Sequence, residues 1–331
     1  MLKLFEKSTG IQVVVILTVT ALLWVPSLAH PLPMVPPDGF GPLYKLLYNL
    51  AISPTLSVIV AMMLVLAGGL LLNMMLASAN LVSQNSLLPT LLFVVFTSAS
   101  APTLSPLLIV SVLSIAVVRM LLLHGTLLTV QPDKVFAATA LISINTLFYL
   151  PSLALLAAYL LVAVSYRLYS WREASMLILG LLAPYLPLWM VLAFNGELGD
   201  SLRSMGETFI SFNLQNITPH TPLETVANGF LLVIFFISLF SLWARLGENT
   251  VVWQKNATTV MTPTAAAIVV AFYSGLFPAN LQFFAIPFAL CGSIMLTSRR
   301  RRRSSANQRK VLADYLNDIL FFLIIIAAVL C

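Results

Sequence analysis

The stretch SPTLSVIVAMMLVLAGGLLLNMML, residues 53–76, decides the fold class. It carries no charged side chain, and its apolar residues run on without alternating. A helix rises ~1.5 Å per residue, so ~20 such residues cross the hydrocarbon core of a bilayer. Hydrocarbon offers the backbone no hydrogen-bond partner, so a crossing segment must satisfy its own amides as a helix or a closed barrel. Barrel strands alternate apolar and polar positions; this stretch does not.

The same ruler, moved along the chain, predicts spans near 10–28, 53–76, 86–101, 104–123, 135–150, 151–167, 174–195, 226–244, 261–277, 279–297 and 315–331. The expectation is an all-α polytopic transmembrane bundle of about eleven spans, forming a single domain over residues 1–331. The composition agrees: 60% of residues are hydrophobic and 8% charged, where soluble domains carry ~25% charged residues. Three apolar blocks are broken by proline, at Pro102 and Pro106, at Pro151 and at Pro278. Proline removes a backbone donor and disfavours helix before it, so each break reads as a tight turn between antiparallel spans. The rival reading is one kinked span plus a re-entrant piece.

Charge sets the orientation. With the N-terminus in the cytoplasm, fifteen of the seventeen basic residues face inward and only Lys45 and Arg203 face outward, as the positive-inside rule requires. The C-terminus then lies outside. Lys3 and Lys7 precede an apolar core ending in Ser27-Leu28-Ala29, which also fits a cleaved signal peptide; retention as the first span is the preferred reading. The basic loop 298–314 holds Arg299 to Arg303, a run that beside membrane spans points to anionic lipid headgroups and not to nucleic acid. Cys291 and Cys331 form no CxxC pair and the three histidines are scattered, so no metal site or cofactor is expected.

Two outward segments, 29–52 and 196–225, collect polar groups. In the first, prolines 31, 33, 36 and 37 forbid a continuous helix; then Leu43, Leu46, Leu47 and Leu50 recur at helical spacing. That pattern predicts a short interfacial helix with its apolar side down. Five of the eleven acids, Asp38, Glu197, Asp200, Glu207 and Glu224, fall in these two segments. They could form an acidic chamber holding a cation or a general base, or simply reflect the scarcity of lysine and arginine in translocated loops; the second reading is favoured. Asn73, Asn80, Gln84 and Asn85 gather at the inner end of spans two and three, and Asn145 and Tyr149 lie in span five. Such amides usually bond a neighbouring helix. No Asp or Glu sits in mid-span apart from Asp314 and Asp318 at the start of the last one, which weakens a proton- or ion-coupled transporter.

Residues 84–92, QNSLLPTLL, the segment from Phe136 to Pro151, and the Ser170-Trp171-Arg172-Glu173 turn followed by Gly180 and Pro184-Tyr185 resemble an uncharacterised multi-pass inner-membrane family of Bacteroidota. The resemblance covers roughly residues 40–200 and implies a bacterial inner membrane, with no activity attached. The layout also looks like that of integral-membrane glycosyltransferases using polyprenyl-phosphate sugars: one span, an acidic outer loop with an interfacial helix, and a second large outer loop after the seventh span. That likeness implies Asp38 as a catalytic base or metal ligand, with Lys45 and Arg203 on the phosphate of a polyprenyl-phosphate lipid. The chain departs from it in having no acid paired with Asp38 and few outer cations. The residues singled out as candidate sites are therefore Asp38 for catalysis and Lys45, Arg203, His220 and Asn145 for substrate binding. The expected function is a non-enzymatic envelope component; the alternatives are a glycosyltransferase-like enzyme and a transporter or flippase with Asn145 and Asn73 along its path.

Overall fold

The structure, a computed structural model, describes residues 9–31, 40–50, 53–83, 85–98, 103–126, 132–166, 170–196, 198–210, 222–247, 249–274 and 282–301. These residues are almost entirely helical and include no strand. The helices are α1 (Thr9–Ala29), α2 (Pro42–Asn49), α3 (Pro54–Ser78), α4 (Leu88–Ser98), α5 (Pro106–Thr126), α6 (Pro132–Phe148) and α7 (Ala154–Tyr166). They continue as α8 (Trp171–Leu182), α9 (Tyr185–Phe194), α10 (Leu198–Ile210), α11 (Pro222–Leu246), α12 (Val251–Met261), α13 (Pro263–Ser274) and α14 (Ala285–Arg301).

Four stretches are long and apolar enough to cross a membrane: Gly10–Ala29, Pro54–Ser78, Pro106–Leu123 and Trp171–Phe194. The last joins α8 and α9 through a turn at Ala183 and Pro184, in agreement with the single span expected over 174–195. Within the block expected at 86–101, the described residues form a helix over Leu88–Ser98. The break at Pro151 is a 3-10 turn, Leu150–Leu153, with the proline in its first turn where its missing N–H costs nothing. One segment differs plainly from expectation: the chain ahead of the predicted span at 261–277 is already helical from Val251. Its threonine-rich, moderately polar sequence hid it from a search for apolar length. The spans expected at 315–331 and the basic loop beyond Arg301 lie outside the described residues.

Specific pairs give the relative directions. Gln12 near the start of α1 bonds the chain leading into α4, and Trp24 near its end donates from Nε1 to Ser98 Oγ at 2.8 Å, so α1 and α4 run parallel. Between α4 and α14, the Phe96 and Phe288 rings lie 4.5 Å apart, and a Cβ on Gly292 would meet Leu92; these two helices are antiparallel. α6 runs parallel to α8 and α9, with Gly180 set against Phe136 and Thr139, Ser143 Oγ donating to the Leu181 carbonyl at 2.7 Å, and Thr146 Oγ1 2.7 Å from the Tyr185 hydroxyl. Close approach at glycine and side-chain bonds to backbone carbonyls are how apolar helices associate without a hydrophobic driving force between them.

The core is formed by α3, α4, α5, α11 and α14, with Leu72, Phe93, Phe96, Phe235 and Phe288 buried at its centre. Gly68 and Gly69 let α3 close on α4 and α5, and Thr90 Oγ1 bonds the Gly69 carbonyl at 3.0 Å. α3 ends at a left-handed Asn80, φ 56°, with the Leu81 N–H on the Leu76 carbonyl and both leucines buried. That is a Schellman termination with its hydrophobic contact.

Candidate functional site

The outer-loop residues named from sequence do not converge on one point among the described residues. Asp38 and His220 lie outside the described residues. Lys45 is exposed on α2. Arg203 is on α10, where its Nε donates to Glu207 Oε1 at 2.9 Å one turn later; both side chains are largely exposed, at 81% and 66%. Asn145 is on α6 and fully buried.

The structure does bring three of the elements that carry these residues to one place, the elbow where α6 meets the 3-10 turn. Phe40 pairs with Tyr149 in an isolated antiparallel bridge, and the Gly41 N–H donates to the Phe148 carbonyl at 2.8 Å. A Cβ on Gly41 would collide with the Leu147 carbonyl, so only glycine lets the chain lie this close. α2 follows at once and packs on α6, while α10 packs on α9 and on the 3-10 turn. The segment 29–52 thus holds the short helix its leucine spacing predicts. On it Tyr44 is wholly buried, donating its hydroxyl to the Leu104 carbonyl at 3.1 Å, while Leu46 and Leu50 are exposed. Burial pushes the Tyr44 phenol up to about 12, with a smaller contribution from Tyr48.

Beneath this cover the elbow is uncharged but polar. Asn145 lies in the last turn of α6, and Tyr149 follows that helix in extended backbone with its N–H on the Asn145 carbonyl at 2.9 Å. The Tyr149 ring lies 6.4 Å from that of Phe283, the residue after Gln282. Ser152 follows in the 3-10 turn, with its N–H on the Tyr149 carbonyl at 3.1 Å. Asn145, Ser152 and Gln282 are all 0% exposed. Neither amide atom of Asn145, neither of Gln282, nor the Ser152 hydroxyl has a hydrogen-bond partner among the described residues. Each group left so costs about 1–3 kcal/mol in a protein interior, and more where hydrocarbon surrounds the bundle.

Only Asn145 of this trio stands out in the sequence. Gln282 is a lone amide ahead of an apolar helix, and Ser152 follows a turn proline; a polar residue beside a predicted break is the signal that would have found both. The other intramembrane amides differ from one another. Asn80 is a helix terminator, Asn85 contributes its backbone carbonyl to Gln12, and Asn73 is buried with its Oδ1 unbonded among the described residues. Among the described residues no group of three or more His, Cys, Asp and Glu could hold a metal ion. Comparisons with protein families, with curated proteins and with solved structures returned no match to this chain.

Proposed function

We propose that the protein is a non-enzymatic integral component of a bacterial inner membrane, with about eleven spans, its N-terminus inside and its C-terminus outside. The observation that carries the reading is the state of Arg203. As one of only two outer cations it would have to grip phosphate in a lipid-linked sugar donor, yet its guanidinium is engaged by Glu207 on the same exposed helix. A glycosyltransferase-like site would need that group directed at substrate.

The orientation has support from the ends of the bundle. Lys45 and Arg203 lie on helices packed at the elbow end, whereas Lys134 and Arg172 begin helices that run toward it, and Lys255 is beside Asn256, whose amide bonds the Ala79 carbonyl at the opposite end of α3. Positive residues thus segregate between two ends, as a membrane-spanning chain requires.

The test uses Asp38→Asn in the full chain. If it inserts normally and restores a deletion strain as well as wild type does, a non-catalytic role stands. Normal insertion with lost rescue overturns it in favour of catalysis. Cysteine-accessibility labelling at Lys45 and Lys255 checks the orientation; external labelling at Lys255 would reverse it.

A further inference from the structure

We infer that α10 is a lipid-binding surface: it lies in the headgroup layer at the elbow end of the bundle, with its Leu198, Leu202 and Met205 side seated on acyl chains. At ~100° per residue these three positions fall within an arc of about 60°. Arg203 and Glu207 centre on the opposite side of the helix and are paired at 2.9 Å, both exposed. α10 packs on α9 and on the 3-10 turn, yet neither closes over the apolar side. Leu202 keeps 46% of its surface open, and Leu198 and Met205 are only partly covered.

What covers that side follows from the helix before it. α9 ends the crossing stretch Trp171–Phe194 and buries none of its residues. Leu186, Met190 and Val191 are exposed along it, and Phe194 at its end is 82% exposed. A crossing helix of this kind meets acyl chains on its open faces. α9 then stops at Gly196, whose φ of 73° turns the chain out of the helix. α10 begins four residues after Phe194, a reach of at most ~14 Å. The end of the span therefore sets the depth of α10, and the lipid surface against Phe194 continues to Leu202. At the same end α2 leaves Leu46, Tyr48 and Leu50 exposed, so two short helices from distant parts of the chain share one level. The lipid is held by apolar contact and not by headgroup charge: α10 carries Arg203 against Asp200 and Glu207, with no excess of cations. A polar face closed by its own ion pair also asks for no protein partner. The inference rests on the membrane-crossing reading of Trp171–Phe194 and is independent of the non-catalytic one.

The experiment places spin labels on Met190→Cys, Leu202→Cys and Glu207→Cys in the full chain carrying Cys331→Ala, in nanodiscs of phosphatidylcholine with and without phosphatidylglycerol. Collision with oxygen marks acyl chains, and collision with a water-soluble nickel chelate marks solvent. Labels at 190 and 202 should meet oxygen and be shielded from nickel, with the label at 202 ~5–10 Å below the phosphates. The label at 207 should show the reverse, and both lipid mixtures should agree. Met205→Cys replaces Leu202→Cys should that variant fail to insert. Nickel contact at 202 with 190 shielded overturns the lipid seat alone. Exclusion of both reagents from 202 overturns it in favour of a protein partner such as a second copy. A seat found only with the anionic lipid overturns the apolar assignment. Nickel contact at 190 removes the crossing helix and this inference with it.

Discussion

The Gln12 side chain donates from Nε2 to the carbonyl oxygen of Asn85 at 3.0 Å, and its Oε1 accepts the neighbouring Leu87 N–H at 2.7 Å. A single buried amide in the first helix thus closes two backbone groups of the turn between α3 and α4. Gln12→Leu leaves both groups unpaired, at about 1–3 kcal/mol each. The expected outcome is a clearly lowered Tm in detergent solution, with the helical circular dichroism unchanged before melting. A Tm equal to wild type would mean that water or another group replaces the amide.

The same contact bears on the fate of residues 1–29. α1 is fastened at one end by Gln12 and at the other by Trp24 on Ser98, and Trp24 is 1% exposed. A signal peptide destined for removal has no need of such fittings, and cutting after Ala29 would expose the faces of α3 and α4 it covers. The intact mass of the protein purified from membranes should therefore include residues 1–29. A mass corresponding to a chain that begins at His30 would contradict this.

How much of this was legible beforehand depends on the kind of signal. The long apolar stretches, the 3-10 turn at Pro151 and the helix over Pro42–Asn49 follow from composition, proline chemistry and spacing, because those act locally. Which amide does what does not. Asn80, Asn85 and Asn145 look alike in the sequence, yet one terminates a helix, one lends a carbonyl and one is buried without a described partner. Their roles depend on residues dozens of positions away, and no local rule encodes them.

Asn80 offers a direct check on its assigned part. At φ 56° it occupies the left-handed region, which glycine enters freely and asparagine tolerates. Asn80→Gly should leave thermal stability near wild type. Asn80→Val should cost about 1–2 kcal/mol. If both substitutions were equally harmful, the side chain rather than the backbone would be what matters.

Tyr44 gives a pH dependence with a definite sign. Its folded phenol titrates at about 12 against an ordinary value of 10.0. Below pH ~10 both states keep the proton, and stability does not vary on this account. Between those two values the unfolded chain releases a proton that the folded chain retains, so stability falls as pH rises. Tyr44→Phe should flatten that alkaline decline. It also deprives the Leu104 carbonyl of its bond from the hydroxyl, so the variant starts from a lower Tm at neutral pH.

Two glycines should respond with opposite signs to one added methyl. A Cβ on Gly180 would land on Thr139 Oγ1 and 2.7 Å from the Phe136 carbonyl, so α8 must move off α6. A hydroxyl can rotate away, but the carbonyl belongs to a hydrogen-bonded helix and cannot. Overpacking of this kind costs about 1–3 kcal/mol. Here the displacement also stretches the Ser143 bond to Leu181 and the Thr146 contact with Tyr185, which depend on the same helix separation. Gly199, in the first turn of α10, has nothing within 4 Å of an added Cβ. There alanine restricts the unfolded chain without a clash and should stabilise by up to about 1 kcal/mol. Thermal melts of Gly180→Ala and Gly199→Ala in one detergent should therefore fall on either side of wild type. If both fell below it, space around the methyl would not be what separates them, and the tight crossing of α6 with α8 would lose its support.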